Sequence, residues 1–276
     1  MLPESMLPER MSATMGRFAS TVSLYEELRP PYPPQFFRSV AHKLKLSKHH
    51  ALIDLGTGPG LLALGFAPYV GRIVGVDPEP AMLAAARTAA ERASQAFTLI
   101  EGTAEDLPES IGSFDIVTIG RALHWMNPIA LGSLFGRLVA PQGVIAVCAS
   151  GSAADGRNAW LDDYNRARRV WSQPGLWSES HGGERAHREL APVLEGTGFH
   201  AAEVIRVETT HEISVSDLAR RVLTFSSSSP AALGDKVDAM LRDVEAQLAP
   251  FGRDGHVTEV VVSTARIARR AVTGHH

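Results

Sequence analysis

The sequence predicts an α/β fold, a mainly parallel sheet with helices on both faces. Three observations predict it. Five short apolar runs between residues 51 and 149 alternate with helix-like segments, the spacing of repeated strand–helix–strand units. A glycine-rich turn, Gly56-Thr57-Gly58-Pro59-Gly60, joins the first strand to the first helix. No linker of distinct composition divides the 276 residues, a length that alone would fit one domain or two.

The elements follow in order. Ala51–Asp54 is a buried strand closed by the glycine turn. Leu61–Tyr69 is apolar on nearly every face, as a helix packed between layers requires. Arg72–Asp77 is the second strand, and Pro78–Ser94 an alanine-rich helix opened by proline, whose missing N–H costs nothing there. Phe97–Glu101 and Phe114–Gly120 are the third and fourth strands. A helix follows over about 127–139, and Gly143–Ala149 is the fifth strand. After residue 150 the pattern changes. Residues 155–198 read as helical, and Glu203–Ile213 as a strand with partial alternation. Helices over about 216–226 and 230–249 flank the serine tract 226–229, and His256–Ile267 is a last β-rich run. The expected layout is a flexible leader over 1–20, then a single domain over 21–276. That domain carries an N-terminal lid helix (21–45) and an inserted helical cap (about 155–198).

Composition narrows the function. With 45% hydrophobic and 21% charged residues the chain is ordinary for a globular protein, so disorder explains little. A net charge of −3 argues against non-specific nucleic-acid binding, which draws its affinity from neutralised phosphates. Cys148 is the only cysteine and fits a reducing, cytoplasmic setting. The N-terminus lacks the basic and apolar regions of a signal peptide, and no run of about 20 apolar residues predicts a membrane span. Glu184 and His187 lie at i and i+3, but two ligands are too few for a metal site, and none is expected.

The glycine turn sits where open α/β sheets bind ligands, outside the carboxyl end of a strand. Glycines there permit positive φ and let a ligand approach bare backbone. Asp77 closes the second strand, where a carboxylate can accept both hydroxyls of a ribose. A dinucleotide fingerprint, G-x-G-x-x-G, would need glycine at 61, where Leu61 stands. A purely structural turn is the plainer alternative; Asp54 before the turn and Gly75-Val76-Asp77-Pro78 after it count against that.

These residues resemble the class I S-adenosylmethionine-dependent methyltransferases. The resemblance rests on LIDLGTGPG (52–60), VGVDPEPAML (74–83), EGTAEDLP (101–108), FDIVTIGRALHWMNP (114–128) and LFGRLVAPQGVIAV (134–147), in the family's order. Upstream, Tyr25, Arg29, Tyr32 and Pro33 resemble the Y-x-x-x-R-P-x-Y-P segment of a small-molecule branch that includes trans-aconitate methyltransferase-like enzymes. The resemblance implies S-adenosylmethionine as cofactor, S-adenosylhomocysteine as product, and a Rossmann-like sheet of seven strands, mostly parallel. Residues 257–268 would supply its one antiparallel strand and 202–212 the neighbour. It also implies residue roles. Asp54, Gly56, Thr57, Gly58 and Gly60 would surround the methionine and ribose, Asp77 would take the ribose hydroxyls, and Pro78 would adjoin the cofactor beside it. Met82, Ala104 and Glu105 would meet the adenine, with an ordinary helix-core contact as the alternative for Met82. Gly120 and Arg121 would bound the methionine end, although Arg121 replaces the small residue often found there.

A sulfonium-bound methyl is already activated, so the protein has mainly to align the acceptor and exclude water. His124, just past the fourth strand, is the candidate base for a hydroxyl or amine acceptor, or else a shaper of the pocket floor, and Trp125 beside it is expected to contact the substrate. Tyr25 and Arg29, at i and i+4 on one helical face, are expected to close over the cofactor: Arg29 near the methionine carboxylate and Tyr25 near the methyl. The alternative has Arg29 merely anchoring the helix. Trp160, Tyr164, Ala167 and Trp171 form a helical stripe that suits either a core or, with Trp177 and His181, an aromatic substrate wall. The expected function is methyl transfer to a small organic molecule, with a bulky apolar secondary metabolite favoured. The alternatives are a cofactor-binding cyclase or rearrangement enzyme of the same fold and a non-catalytic scaffold. No nucleic-acid or membrane partner is expected, and a homo-oligomer stays open.

Overall fold

The structure is a computed structural model that describes residues 24, 27–30, 32–172, 190 and 193–271. Their contacts group them into two compact units. The first comprises the described residues of Tyr32–Ser150, Gly182–Val207 and Ser263–His276. The second comprises those of Met1–Pro31, Gly151–His181 and Glu208–Val262.

The described residues form a sheet of seven strands, of which the first four lie wholly in the first unit: β1 (Ala51–Leu55), β2 (Arg72–Asp77), β3 (Thr98–Glu101), β4 (Phe114–Gly120), β5 (Val139–Ser152), β6 (Phe199–Ser214) and β7 (His256–Arg270). Their order is β3-β2-β1-β4-β5-β7-β6. The pairs β3/β2, β2/β1, β1/β4 and β4/β5 are parallel. β7 runs against its neighbours. Ser150 meets Ser263 while Val139 meets Arg270, so the register descends β7 as it ascends β5. Against β6, Gly198 meets Ala271 and Glu203 meets Arg269 in the same opposed sense. The seven-stranded, mostly parallel sheet with one antiparallel strand is the expected architecture.

Central parallel strands are covered on both faces and read as continuous apolar runs. The side-chain period of two divides them between two cores. Ile53, Leu55, Val117, Ile119, Ile145 and Val147 face one core, which also holds Leu131, Phe135 and Leu138 of α4 (Pro128–Leu138). Leu52, Ile116, Val144, Ala146 and Cys148 face the other. It is filled by Phe36, Phe37 and Val40 of α1 (Pro34–Leu44) and by Leu62, Ala63 and Phe66 of α2 (Leu61–Phe66). The alanine-rich α3 spans Pro80–Arg92.

The second unit holds α5 (Leu161–Val170), α6 (Val215–Arg221), α7 (Pro230–Leu233) and α8 (Val237–Leu248). Ser214 and Ser229 cap α6 and α7 by accepting the amides of Asp217 and Ala232, which satisfies helix-end donors that have no partner within the helix. Its core joins Trp160, Tyr164 and Ala167 to Leu218, Val222, Met240, Val244 and Leu248. Beside it, Arg221 makes a two-pronged ion pair with Glu259 at 2.7 and 2.8 Å, both side chains buried.

Several boundaries differ from expectation, mostly at proline and glycine. Of the helix expected over 21–45, residues 24, 27 and 28 are helical and α1 is the continuous stretch among the described residues. Pro30, Pro33 and Pro34 stand in its path, each lacking an amide and holding its predecessor extended. Leu61–Tyr69 tightens to a 3-10 turn at Ala67–Tyr69, around Pro68, and the helix expected over 230–249 breaks at Gly234. β5 begins at Val139, directly after α4, not at residue 143. Of the helical cap expected over 155–198, the described residues give α5 and a short turn at 193–194. α5 shares its unit with α6, α7 and α8.

Candidate functional site

Strand order reverses between β1 and β4. β1 is flanked by β2 on one side and β4 on the other, and the crevice at their carboxyl ends is the binding point of open α/β sheets. The glycine turn leaves β1 at that crevice. Gly56 has φ +68°, and a Cβ on it would lie 2.4 Å from the Ala122 methyl, so only glycine fits. Gly58 also has positive φ, +54°, but a Cβ there would meet nothing within 4 Å. Its bareness opens onto space that a ligand can fill.

Two carboxylates hold this turn. Asp77, at the end of β2, accepts the Gly58 amide at 2.8 Å and the Glu79 amide at 3.0 Å, one on each oxygen. Each carboxylate oxygen can accept more than one hydrogen bond, so acceptor capacity remains on both. Burial raises the Asp77 pKa, and the two amides oppose that rise. Asp54, expected among the cofactor contacts, is instead fully buried. One oxygen accepts from Thr57 Oγ1 at 2.8 Å, the other from Thr118 Oγ1 at 2.7 Å. Burial pushes its pKa up to about 6 against those two hydroxyls. Asp54 therefore braces the turn from beneath. Cys148, on the neighbouring β5, is buried too, and burial drives its thiol pKa far up, so it is no nucleophile.

Around the crevice, Pro78 follows Asp77 directly, and Met82 is buried at the start of α3. Ala104 is buried in the core and Glu105 is half-buried, one oxygen accepting the Asn127 amide at 2.7 Å. Asn127 in turn caps α4 through the Ile129 amide, so Glu105 is tied to the start of that helix. Gly120 ends β4. Arg121 adopts φ +59°, costly for a residue with a Cβ, and its guanidinium donates to the Ser150 carbonyl and lies 5.4 Å over the Tyr32 ring. One 3-10 turn, Leu123–Trp125, then presents His124 and Trp125 outward, anchored by buried Leu123. The two rings lie 4.7 Å apart, and Trp125 is 47% exposed.

The structure thus gathers Asp54, Gly56, Thr57, Gly58, Gly60, Asp77, Pro78, Met82, Ala104, Glu105, Gly120, Arg121, His124 and Trp125 in one unit. The residues present fit an adenosyl cofactor in two respects: bare backbone at Gly58 and a rim carboxylate with acceptor capacity at Asp77. Sequence reasoning missed Thr118, Ala122 and Asn127. The signal for Thr118 was a hydroxyl within an otherwise apolar strand; the other two needed the fold.

Other expected site residues lie elsewhere. Trp160, Tyr164 and Trp171 belong to the second unit. Trp160 and Tyr164 are core residues with 2% and 3% exposure, and the Trp160 indole donates to the Thr258 carbonyl. The helical stripe packs with residues of α6 and α8 in the core of that unit. Trp171 is half-buried and donates to Asp243 at 2.6 Å. Arg29 is also in the second unit. Its guanidinium donates to the Thr224 carbonyl at 3.0 Å and lies 3.8 Å over Phe225, bonds that engage it within that unit. Tyr25, Trp177 and His181 lie outside the described residues, as do Glu184 and His187. Among the described residues no three metal-ligating side chains converge, and no helix is long and apolar enough to cross a membrane.

Residues 53–147 match the methyltransferase domain family. An uncharacterized methyltransferase of Mycobacterium tuberculosis is 32% identical over 144 residues, which is 52% of this chain and 55% of the relative. The chain therefore spans about half the length of the curated relatives it matches first. Among solved structures, an S-adenosylmethionine-dependent methyltransferase of Geobacter sulfurreducens in complex with S-adenosylhomocysteine shares the fold. Its TM-score is 0.54 at 16% identity, covering 91% of this chain and 97% of that one. A [4+2]-cyclase shares it with a TM-score of 0.52 at 16% identity, covering 90% and 93%. The family match bears out the resemblance to methyltransferases over residues 53–147, and the solved structures share the fold.

Proposed function

We propose that this chain is an S-adenosylmethionine-dependent methyltransferase acting on a small organic molecule in the cytoplasm. The observation that carries the reading is the braced glycine turn at the switch point. Gly58 is held by Asp77, Thr57 by Asp54, and both lie within the segment that matches the methyltransferase domain family.

S-adenosylmethionine, when bound, supplies an electrophilic methyl group on a sulfonium. The chain's own residues bind, orient and shield. Asp77 takes the ribose hydroxyls on its remaining lone pairs while keeping the Gly58 amide. Gly56, Thr57, Gly58 and Gly60 face the ribose and methionine with backbone. Pro78, Met82, Ala104 and Glu105 shape the adenine side, and Gly120 with Arg121 closes the methionine end. Trp125, exposed beside the end of β4, offers an aromatic face to the acceptor. His124 receives the proton if the acceptor is a hydroxyl or a protonated amine. A bulky apolar acceptor suits Trp125, and the Y-x-x-x-R-P-x-Y-P segment supports the small-molecule branch. A net charge of −3 does not favour nucleic acid as the acceptor.

The likeness to a [4+2]-cyclase keeps a second reading in view, since one fold and one cofactor serve more than one reaction. Thermal unfolding with S-adenosylmethionine, S-adenosylhomocysteine and NAD tests cofactor choice. A ligand at 100 times its Kd adds about 2.7 kcal/mol to stability. A shift with the two sulfur compounds and none with NAD supports the reading; no shift with either sulfur compound defeats it. Release of S-adenosylhomocysteine in step with acceptor turnover then separates methyl transfer from cyclisation.

A further inference from the structure

Thr118 lies in the middle of β4 with no exposed surface, among Ile116, Val117 and Ile119. A hydroxyl taken out of water is costly unless it is hydrogen-bonded. The parallel register sets Thr118 beside Asp54 of β1, and its Oγ1 donates to Asp54 Oδ1 at 2.7 Å. Asp54 Oδ2 accepts from Thr57 Oγ1 at 2.8 Å. The Thr57 side chain is also pressed against Gly75 of β2, where an added Cβ would come within 3.0 Å of its methyl. Its amide donates to the Val76 carbonyl, and its own carbonyl accepts from Gly60. A string of bonds therefore runs from the floor of the sheet, through one carboxylate, into the turn.

Resting on the cofactor reading above, we propose that Thr118 is a positioning residue for cofactor binding. It holds the Asp54 carboxylate so that Thr57 and the glycine turn keep their binding conformation. Thr118 touches no ligand; it acts through Asp54. A second acceptor, the Ile53 carbonyl, lies 3.4 Å from its hydroxyl, too long to replace the Asp54 bond.

Valine has the shape of threonine without the donor. Asp54 is faced by the Thr118 and Thr57 hydroxyls, the Ala63 amide, the Asp77 carboxylate and the Cys148 thiol. In Thr118→Val one of the bonds favouring ionised Asp54 disappears, so Asp54 protonates at higher pH. Thr118→Ser keeps the bond.

The test measures S-adenosylhomocysteine affinity by titration calorimetry at pH 7.5 and, without ligand, unfolding stability across pH, for wild type and both variants. The expected result is a roughly tenfold weaker Kd for Thr118→Val, within the range of a hydrogen bond to a charged group, and near wild-type binding for Thr118→Ser. The pH at which stability stops falling moves upward in the valine variant alone. Valine binding as tightly as wild type, or an unmoved pH profile, overturns the proposal while leaving the cofactor reading intact. Wild type failing to bind S-adenosylhomocysteine overturns both.

Discussion

The Asp77 carboxylate and the Gly58 amide are 2.8 Å apart, so the residue that closes β2 directly fixes the turn that follows β1. One acidic side chain thus has two duties, shaping the turn and offering lone pairs at its rim. Asp77→Asn replaces one acceptor oxygen by a donor, which opposes either the Gly58 or the Glu79 amide. S-adenosylhomocysteine affinity is expected to fall between about tenfold and a hundredfold, since hydrogen bonds to charged groups are worth about 1.5–3 kcal/mol. Calorimetric titration checks it, and an unchanged Kd would remove Asp77 from the site.

Asp54 predicts an unusual stability profile. Its pKa is raised from 3.8 to about 6 in the folded chain. The folded state therefore holds the proton more tightly than the unfolded state, and this contribution is fully present below pH 3.8. It is lost as pH rises through about 6. The unliganded protein should gain stability from this group on acidification between those values, by an amount on the order of 3 kcal/mol. Asp77, also raised by burial, acts in the same direction. Comparing denaturant unfolding of wild type and Asp54→Asn at pH 7.5 and pH 5 isolates the Asp54 share; identical pH slopes in the two proteins contradict it.

Glu259 predicts the opposite sign. Burial raises its pKa, but the Arg221 hydrogen bonds and charge, with Ser152 and His211, more than reverse that, leaving it lowered. Its contribution is present above the unfolded carboxylate value and is lost as pH falls through the folded one. Glu259→Ala leaves a buried guanidinium unpaired, and a loss of about 3–5 kcal/mol is expected in chemical denaturation. A loss under 1 kcal/mol would mean that Arg221 finds another partner.

The aromatic stripe predicts stability effects and no direct effect on substrate. Trp160→Ala should cost about 3–5 kcal/mol, as large-to-small changes in a packed core do. The Tyr164 hydroxyl has no hydrogen-bond partner among the described residues, so Tyr164→Phe should be neutral or mildly stabilising. Thermal melts check both. Full stability of Trp160→Ala with a raised acceptor KM would return Trp160 to the substrate wall.

The sheet was legible because each parallel strand is a bounded apolar run, and the switch point because glycines cluster where β1 ends. Asp77 was legible for the same reason, being the last residue of a strand beside that turn. The direction of Asp54 was not legible, because a carboxylate in a turn motif reads alike whether it points up to a ligand or down to a neighbouring strand. That direction depends on the β1/β4 register that pairs it with Thr118, and register is a long-range property. The Trp160 stripe was ambiguous in a similar way. Helical spacing identifies an apolar face without naming what covers it, and here α6 and α8 do.

Gly56 and Ala122 meet so closely that a side chain cannot be added at 56 while the methyl stays at 122. A methyl on residue 56 would arrive 2.4 Å from the one already on residue 122, and any larger side chain at 122 would grow toward the same gap. The two sites are a coupled pair in the mutational landscape, with an order imposed on the steps: the methyl at 122 has to leave before one at 56 can arrive. Gly56→Ala combined with Ala122→Gly should retain more stability than the two single effects sum to, so a route to a different turn after β1 passes first through the loop after β4.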